Sequence, residues 1–470
     1  MKRNGCLDRI GFGVGARGVV SHAGGRLLVE AAAKIGLAAG LRDRLARWRP
    51  TAVHDPGMVL FHAAVSLAVG GRRPVDMAVL RAAPGVFGPV ASPATVSRTV
   101  AALVAGDGGA AAEQAIWQAV ADARAVAWRL GGAPARDEMI TVDLDASLVT
   151  VYSPKQGAAN TFKKTFGLHP LFGFIDHGAG GTGEPAAAML RPGHAGSNTA
   201  ADHVTVLEQV LASLPEVWTS RDAHGRRPIL VRIDGAGATH KLLDYIHAQG
   251  MQFSVRFTLA GPDVIELATA LPTTAWAPAL PSTGVAEAAG VAEVAEATDE
   301  GWVRGWPPGS RLIVRREHPS RAARHLQKYR QMSICELDGM RYTAILTNRP
   351  DLPADLLELD HRRHARVEDR IKDSKDTGLT DLPYPDLASN RIWLAVIACA
   401  QLLLAHTARL ALTGRWRVAS PKTLRLRLFA TAGRLARTGR RTRLDDPDTW
   451  PWTTVIIDAL TRLTALPDPG

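Results

Sequence analysis

At 470 residues the chain is long enough for two or three domains, and 46% hydrophobic with 21% charged residues describes a globular rather than a disordered polymer. The formal net charge of +11 points to a polyanionic partner, nucleic acid before membrane, and ten basic residues with no acid between 415 and 443 carry nearly all of that surplus. Three widely separated cysteines, Cys6, Cys335 and Cys399, argue against a disulfide scaffold or a cysteine zinc site and fit a reducing cytoplasm. The opening Met-Lys-Arg-Asn-Gly-Cys leads into no apolar h-region, so no signal peptide is expected.

Residues 17–130 read as helical. Leu27-Leu28-Val29 with Ala31 to Leu37, and then Met58 to Val69, carry the 3.6-residue spacing. Ser92-Pro93-Ala94-Thr95 reads as an N-cap, a proline at N1 and a first turn, compatible with a helix-turn-helix reader of DNA or with an ordinary capped helix. From 139 the pattern changes. Ile140, Val142, Leu144, Ala146 and Leu148 alternate with Thr141, Asp143, Asp145 and Ser147, predicting a strand with two aspartates on one face. Strands are predicted at 168–175 and 186–190, a helix at 199–214, an apolar strand 228–233 ending at Asp234-Gly235, a helix at 238–248 and a strand at 252–259. This is an α/β sheet built from both hairpin and crossover connections. Prolines 262, 272, 278 and 281 and a low-complexity run from Gly284 to Glu300 then break the pattern, and strands near 311–315 and 340–346 suggest a partly β insertion. A helix follows over His361 to Lys375, with Gly378 as its C′ residue. The apolar window Ile392 to Leu412 is interrupted by Gln401, His406 and Arg409, which predicts a buried helix rather than a membrane span.

Positions i, i+3, i+4 and i+7 of a helix share a face, so His361, His364, Glu368, Lys372 and Lys375 form one stripe. Asp145 and Asp234, both on strands, and Glu368 could meet there. Hard oxygen donors select Mg²⁺ or Mn²⁺, and two such ions suit phosphoryl transfer, with Lys372 and Lys375 supplying positive charge. Each acid also has an ordinary reading: an aspartate at a strand end caps a turn, and a Glu/Lys-rich helix is a solvated face. Asp143 shares its face with Asp145 and could replace it as the ligand.

The order of motifs resembles the DDE insertion-sequence transposases whose last acid lies in a Tyr-x2-Arg-x3-Glu-x6-Lys signature, within which it is most similar to the transposase DDE domain group 1 branch. The likeness rests on Ser21-His22-Ala23-Gly24, Ser92-Pro93-Ala94-Thr95-Val96-Ser97-Arg98, Asp143-Leu144-Asp145-Ala146-Ser147, His169-Pro170-Leu171, Leu190-Arg191-Pro192-Gly193-His194, Arg232-Ile233-Asp234-Gly235, Tyr342 to Arg349, and Pro421-Lys422-Thr423-Leu424-Arg425. The resemblance implies a ribonuclease H-like mixed sheet flanked by helices. Its organisation would be a helical DNA-binding domain (1–135), a core (136–260), an insertion domain (261–350), the last core helices (351–412) and a helical basic C-terminal region for DNA binding and dimerisation (413–470). It implies Asp145, Asp234 and Glu368 as catalytic ligands of two Mg²⁺ or Mn²⁺ ions. It also implies a bacterial, cytoplasmic, nucleoid-associated enzyme that cuts and rejoins DNA at terminal inverted repeats and target DNA, as a homodimer on DNA. His361 and His364 stand where the signature has Tyr and Arg, positions thought to contact phosphates near the scissile bond. Histidine brings charge there only when protonated.

The remaining DNA contacts expected are Arg366 and Arg191, and Arg425, Arg427, Arg434 and Arg437 in the basic segment. Leu424, Leu426 and Leu428 alternate with Arg425 and Arg427, as if one face met the core and the other DNA. Trp302 and Trp306 are candidate stacking platforms for a displaced base, with core packing as their other role. His194 is a candidate for lining the site. A transposase-derived DNA-binding protein without catalysis, or a nuclease of the same fold without strand transfer, would share much of this pattern. Convergence of the three carboxylates separates the first from an enzyme.

Overall fold

The computed structural model describes residues 18–48, 54–134, 139–196, 199–235, 237–281, 292–318, 336–438, 441–445 and 449–468. After a short strand β1 (Val19–Val20) come five principal helices: α1 (Arg26–Lys34), α2 (Leu37–Arg44), α3 (Pro56–Ala68), α4 (Pro93–Val104) and α5 (Ala110–Ala127). Two begin with the same local device. The Asp55 side chain accepts the Met58 amide with Pro56 at N1, and the Ser92 hydroxyl accepts the Thr95 amide with Pro93 at N1.

Next comes β2 (Ile140–Ala146), then the short strands β3 (Val149–Thr150), β4 (Ala159–Asn160) and β5 (Phe166–Leu168), then β6 (Leu171–Ile175) and β7 (Glu184–Met189). Helix α6 (Ala200–Ser213), β8 (Ile229–Ile233), α7 (His240–Ala248) and β9 (Gln252–Phe257) follow, then β10 (Ala277–Pro278), β11 (Ala292–Glu296), β12 (Arg311–Glu317), β13 (Glu336–Leu337) and β14 (Met340–Thr347). One large mixed sheet has the order β10-β11-β12-β14-β9-β8-β2-β6-β7, with β13 on β14. Strand β8 is parallel to both β2 and β9, and the other pairs are antiparallel. β3, β5 and β4 form a separate small sheet beside it.

Parity along β2 divides the large sheet. Ile140, Val142 and Leu144 join Ile229, Val231 and Ile233 in a core with Val206 and Val210 of α6 and Leu242, Leu243 and Ile246 of α7. The opposite face carries Asp143, Asp145 and Arg232, and helices cover it: α8 (Ala354–Arg362), a tightened turn over Arg363–Ala365, α9 (Arg366–Ser374) and α10 (Leu387–Ala411). Gly378, at φ +102°, ends the α9 segment as its sequence position predicts. The chain closes with β15 (Gly433–Thr438), β16 (Arg441–Asp445) and α11 (Thr453–Ala465).

Four expectations change. The N-terminal helices share one apolar core with α10 and α11 rather than forming a lobe of their own. The segment read as an insertion supplies β11, β12 and β14 to the central sheet itself, extending it beyond β9. The basic C-terminal segment is not all helical: β15 and β16 pair with each other, and β15 pairs with β1. Within Pro421 to Phe429 the alternating pattern yields to helical turns begun by the Ser420 cap. Leu424 and Leu428, four apart, are buried while Leu426 is exposed.

Helix α10 is the one described helix long and apolar enough to cross a membrane, yet 89% of its apolar window is buried inside the protein. Its polar interruptions have inward partners. Gln401 donates to Ser374 Oγ (2.7 Å), and His406 Nε2 lies 3.0 Å from the carboxylate of the fully buried Glu184. Glu184 also takes Arg124 (3.0 Å), Trp128 Nε1 (2.9 Å) and His177 (3.0 Å), which pins the N-terminal helices and α10 to β7.

Candidate active site

Strands β2 and β8 run parallel with Leu144 opposite Ile233. Asp145 and Asp234 therefore leave the C-terminal ends of two adjacent strands side by side, in a crevice position typical of α/β sheets. Asp145 Oδ1 accepts the Ala146 amide (2.7 Å), and Asp234 Oδ1 accepts the Gly237 amide (3.3 Å). Burial, opposed by His364 and reinforced by the Asp234 carboxylate, pushes the Asp145 carboxyl up to about 6. A carboxyl whose proton affinity is raised beside a second carboxylate is what a hard divalent cation would relieve.

One layer deeper, Asp143 is fully buried. Arg232, opposite it in register, grips it with two bonds (2.7 and 3.0 Å). Arg370 (3.0 Å) and His364 Nδ1 (2.9 Å) reach it from the helices above. Asp176, at the end of β6, takes Arg232 (2.6 Å), Arg370 (2.5 Å) and Arg366 (3.2 Å). Burial alone would raise the Asp143 carboxyl, but Arg232 and His364 outweigh it and hold it far below the usual carboxylate range. Asp143 is thus the anchor of a saturated charge network, which corrects its candidacy as a metal ligand: its oxygens are spent. Sequence could not separate it from Asp145, since both lie on one face of β2. Asp176 and Arg370 were missed. Their one signal was an acid directly after the apolar run of β6, and an arginine six residues beyond His364.

This network seats α9 over the carboxylate end of the sheet, and Gln401 behind it fixes the Ser374 end. Glu368 stands on α9 one turn past His364 and is exposed. Among the described residues no three His, Cys, Asp or Glu side chains stand together as a metal-holding group. The structure therefore brings Asp145 and Asp234 together and leaves Glu368 on the neighbouring helix. Lys375, half-buried, lies within electrostatic reach of Asp145; burial lowers its ammonium, Lys163 lowers it further, and Asp145 opposes. Lys372 is exposed.

The other expected DNA contacts sort by burial. His361 Nδ1 pairs with Ser254 Oγ (3.0 Å), and burial, with His364 and Arg232 nearby, pushes it down to about 3. It is neutral at physiological pH and brings no charge to a phosphate. His364 is buried against Asp143, and Arg366 is partly exposed beside Asp176. Arg191 is corrected: it is buried, donating to the carbonyls of His169 and Gly196 and to Asp202. Arg425 is corrected as well, because its guanidinium donates to the carbonyls of Leu67, Ala68 and Asp376 and so ties α3 to the end of α9. Arg427 lies over the Trp452 ring at 5.2 Å, and Arg434 is exposed on β15. The Arg437 side chain lies outside the described residues. Trp306 is stacked on His240 at 3.7 Å, and both Trp302 and Trp306 pack against the sheet core, so the packing role is the one observed for the two tryptophans. His194 lines a groove of about 570 Å³ together with Gly235, next to Asp234.

The sequence matches the family described as transposase DDE domain group 1 over residues 12–468. No curated protein matches it. A similar solved structure is the piggyBac transposase synaptic complex with hairpin DNA, at 9% identity and a TM-score of 0.40, covering 86% of this chain and 80% of that one.

Proposed function

The chain belongs to the transposase DDE domain group 1 family, and on that footing we propose that it is a DNA transposase whose catalytic carboxylates are Asp145, Asp234 and Glu368. The observation that supports this reading is the parallel register of β2 and β8, which carries Asp145 and Asp234 off adjacent strand ends, with Glu368 exposed on the helix tied to the same sheet through Asp143. Such a core is ribonuclease H-like in kind. The donor set consists of carboxylates alone, which fits Mg²⁺ or Mn²⁺. Two such ions, when bound, would activate an attacking oxygen and stabilise the leaving one in phosphoryl transfer.

The chain's own residues do the rest. Asp145 and Asp234 form the fixed half of the site, held by strand backbone and by the Asp143–Arg232–Arg370 network below. Glu368, exposed on α9, supplies the third carboxylate from its longer side chain. Lys375 and Lys372 hold a scissile phosphate by charge, a role the neutral His361 leaves to them. The substrate we propose is double-stranded DNA at the terminal repeats of a bacterial insertion sequence. Water would cut the strand and the freed 3′-OH would join target DNA, with a homodimer holding both ends. Incubating the protein with DNA carrying such ends and Mg²⁺ tests this: nicks at the element boundary support it, and an intact substrate defeats it.

The basic C-terminal segment is proposed to hold end DNA through phosphates. Arg425 is excluded from that role by its inward bonds, which leaves Arg427 and the β15–β16 arginines. Neutralising Arg427, Arg434 and Arg437 together should lower duplex affinity and flatten its dependence on log salt by about 0.9 per lost contact. A slope equal to wild type in a fluorescence-anisotropy titration rules the role out.

A further inference from the structure

The small sheet β3-β5-β4 between β2 and β6 ends in a tight loop, Thr161–Thr165, that nothing above uses. The loop is latched. Thr161 N donates to Thr165 O (2.7 Å), Lys164 N donates to Thr161 O (2.9 Å), and the two threonine hydroxyls pair at 2.8 Å. Lys164 sits at φ +58°, a left-handed conformation that a lysine adopts at a cost. The loop's base is clamped too. The Gly193 amide donates to Gly157 O (3.0 Å), and a Cβ at Gly193 would meet Gly167 O at 2.1 Å, so that turn packs backbone to backbone against the small sheet. The buried Arg191 bonds the carbonyl of His169 beside it.

What this rigid frame presents is an aromatic ring in water. Phe162 is 65% exposed, flanked by Lys163, whose ammonium lies 5.7 Å from the ring, and by Lys164. The ring meets the His169 ring at 5.8 Å, tilted by 53°, but most of it stays in water, and an exposed phenylalanine on a latched, strained loop costs solvation and backbone energy. Its position gives it a partner. Phe162, Asn160 and Thr161 line the same groove as His194 and Gly235, the residue after Asp234. Lys163 is within electrostatic reach of Lys375, which is itself within reach of Asp145.

We propose that the Thr161–Thr165 loop is a nucleotide platform at the rim of the carboxylate site: an unpaired base at the cut end of the DNA stacks on Phe162, and Lys163 and Lys164 take its flanking phosphates. Flat π-faces and backbone charge are what an aromatic ring followed by two lysines recognises in single strands, without regard to sequence. The platform assigns to Phe162 the stacking role that Trp306, already covered by His240, does not offer. The inference rests on the function proposed above, and its test keeps the two apart.

The probe is a fluorescent duplex with a short single-stranded tail, set against the same duplex blunt-ended, with binding read by anisotropy in Ca²⁺ to prevent turnover. Phe162→Ala should weaken binding of the tailed DNA by about tenfold and change blunt-duplex binding less than twofold, and Phe162→Trp should restore it. Lys163→Gln with Lys164→Gln should reduce the salt slope for the tailed DNA by about 0.7 per lost contact. Because Phe162 is exposed, these variants keep the fold, which circular dichroism checks. Equal tail affinity in wild type and Phe162→Ala overturns the platform and leaves the carboxylate site standing. Wild-type protein that binds neither DNA overturns both. Tail-specific binding lost with Phe162 in a protein that cuts no DNA keeps the platform and removes the transposase reading.

Discussion

Asp143→Ala should unfold the catalytic layer, even though Asp143 touches no substrate in this account. The carboxylate is fully buried and accepts from Arg232, Arg370 and His364. Removing it leaves the buried Arg232 and Arg370 guanidiniums with Asp176 as their shared acid, beside a void where the second stood. Breaking a buried ion pair from one side costs about 3–5 kcal/mol, against a total stability of about 5–15 kcal/mol for a typical protein. Thermal unfolding should show Asp143→Ala insoluble or melting well below wild type. Asp143→Asn, which keeps the shape and one acceptor, should recover part of the loss. A wild-type melting temperature in Asp143→Ala would mean that the network does not hold α9 on the sheet.

Asp145→Ala and Asp234→Ala should behave in the opposite way: folded protein, no strand cleavage. Asp145 accepts one backbone amide within its own strand end, and Asp234 accepts the Gly237 amide of its own turn, whereas Asp143 takes two buried arginines and a histidine from the layers around it. Relief of the repulsion between two neighbouring carboxylates should leave stability unchanged or slightly raised. Catalysis should fall by at least about a thousandfold, the kinetic equivalent of about 4 kcal/mol, the scale on which a polarising metal acts. Single-turnover nicking in Mg²⁺ reads this loss, and duplex binding at matched salt should stay within about twofold. Two aspartates two residues apart on one strand face would then separate cleanly into a structural role and a catalytic one.

That separation marks where sequence reading stops. The alternation of β2 shows that Asp143 and Asp145 share a face, and the apolar run of β8 ends at Asp234. The partners of each acid depend on register between strands far apart in the chain, which puts Arg232 opposite Asp143 and carries Asp145 and Asp234 past the last paired residues. Local pattern contains no such register. The same limit explains the segment read as an insertion: its strands were legible near 311–315 and 340–346, but their addition to β9 is a long-range pairing. The Arg-rich tail failed differently. In Pro421 to Phe429 the Ser420 cap and Pro421 override the leucine–arginine alternation and turn Arg425 inward, while the strands lie further on, in β15 and β16. Motif and alternation marked Arg191 and Arg425 as DNA contacts, and the inward hydrogen bonds of both guanidiniums remove them. The long apolar helix, by contrast, was legible, because Gln401 and His406 within it require buried partners and find them.

The claim that binds these observations is that Glu368 completes a site whose other two acids are already side by side. Glu368 is exposed, so Glu368→Gln removes a charge without disturbing a core. The direct measurement is single-turnover cleavage of element-end DNA in Mg²⁺ by Glu368→Gln beside wild type, at equal DNA occupancy. The account predicts wild-type nicking and none above background in Glu368→Gln; nicking by Glu368→Gln at a rate near wild type would contradict it.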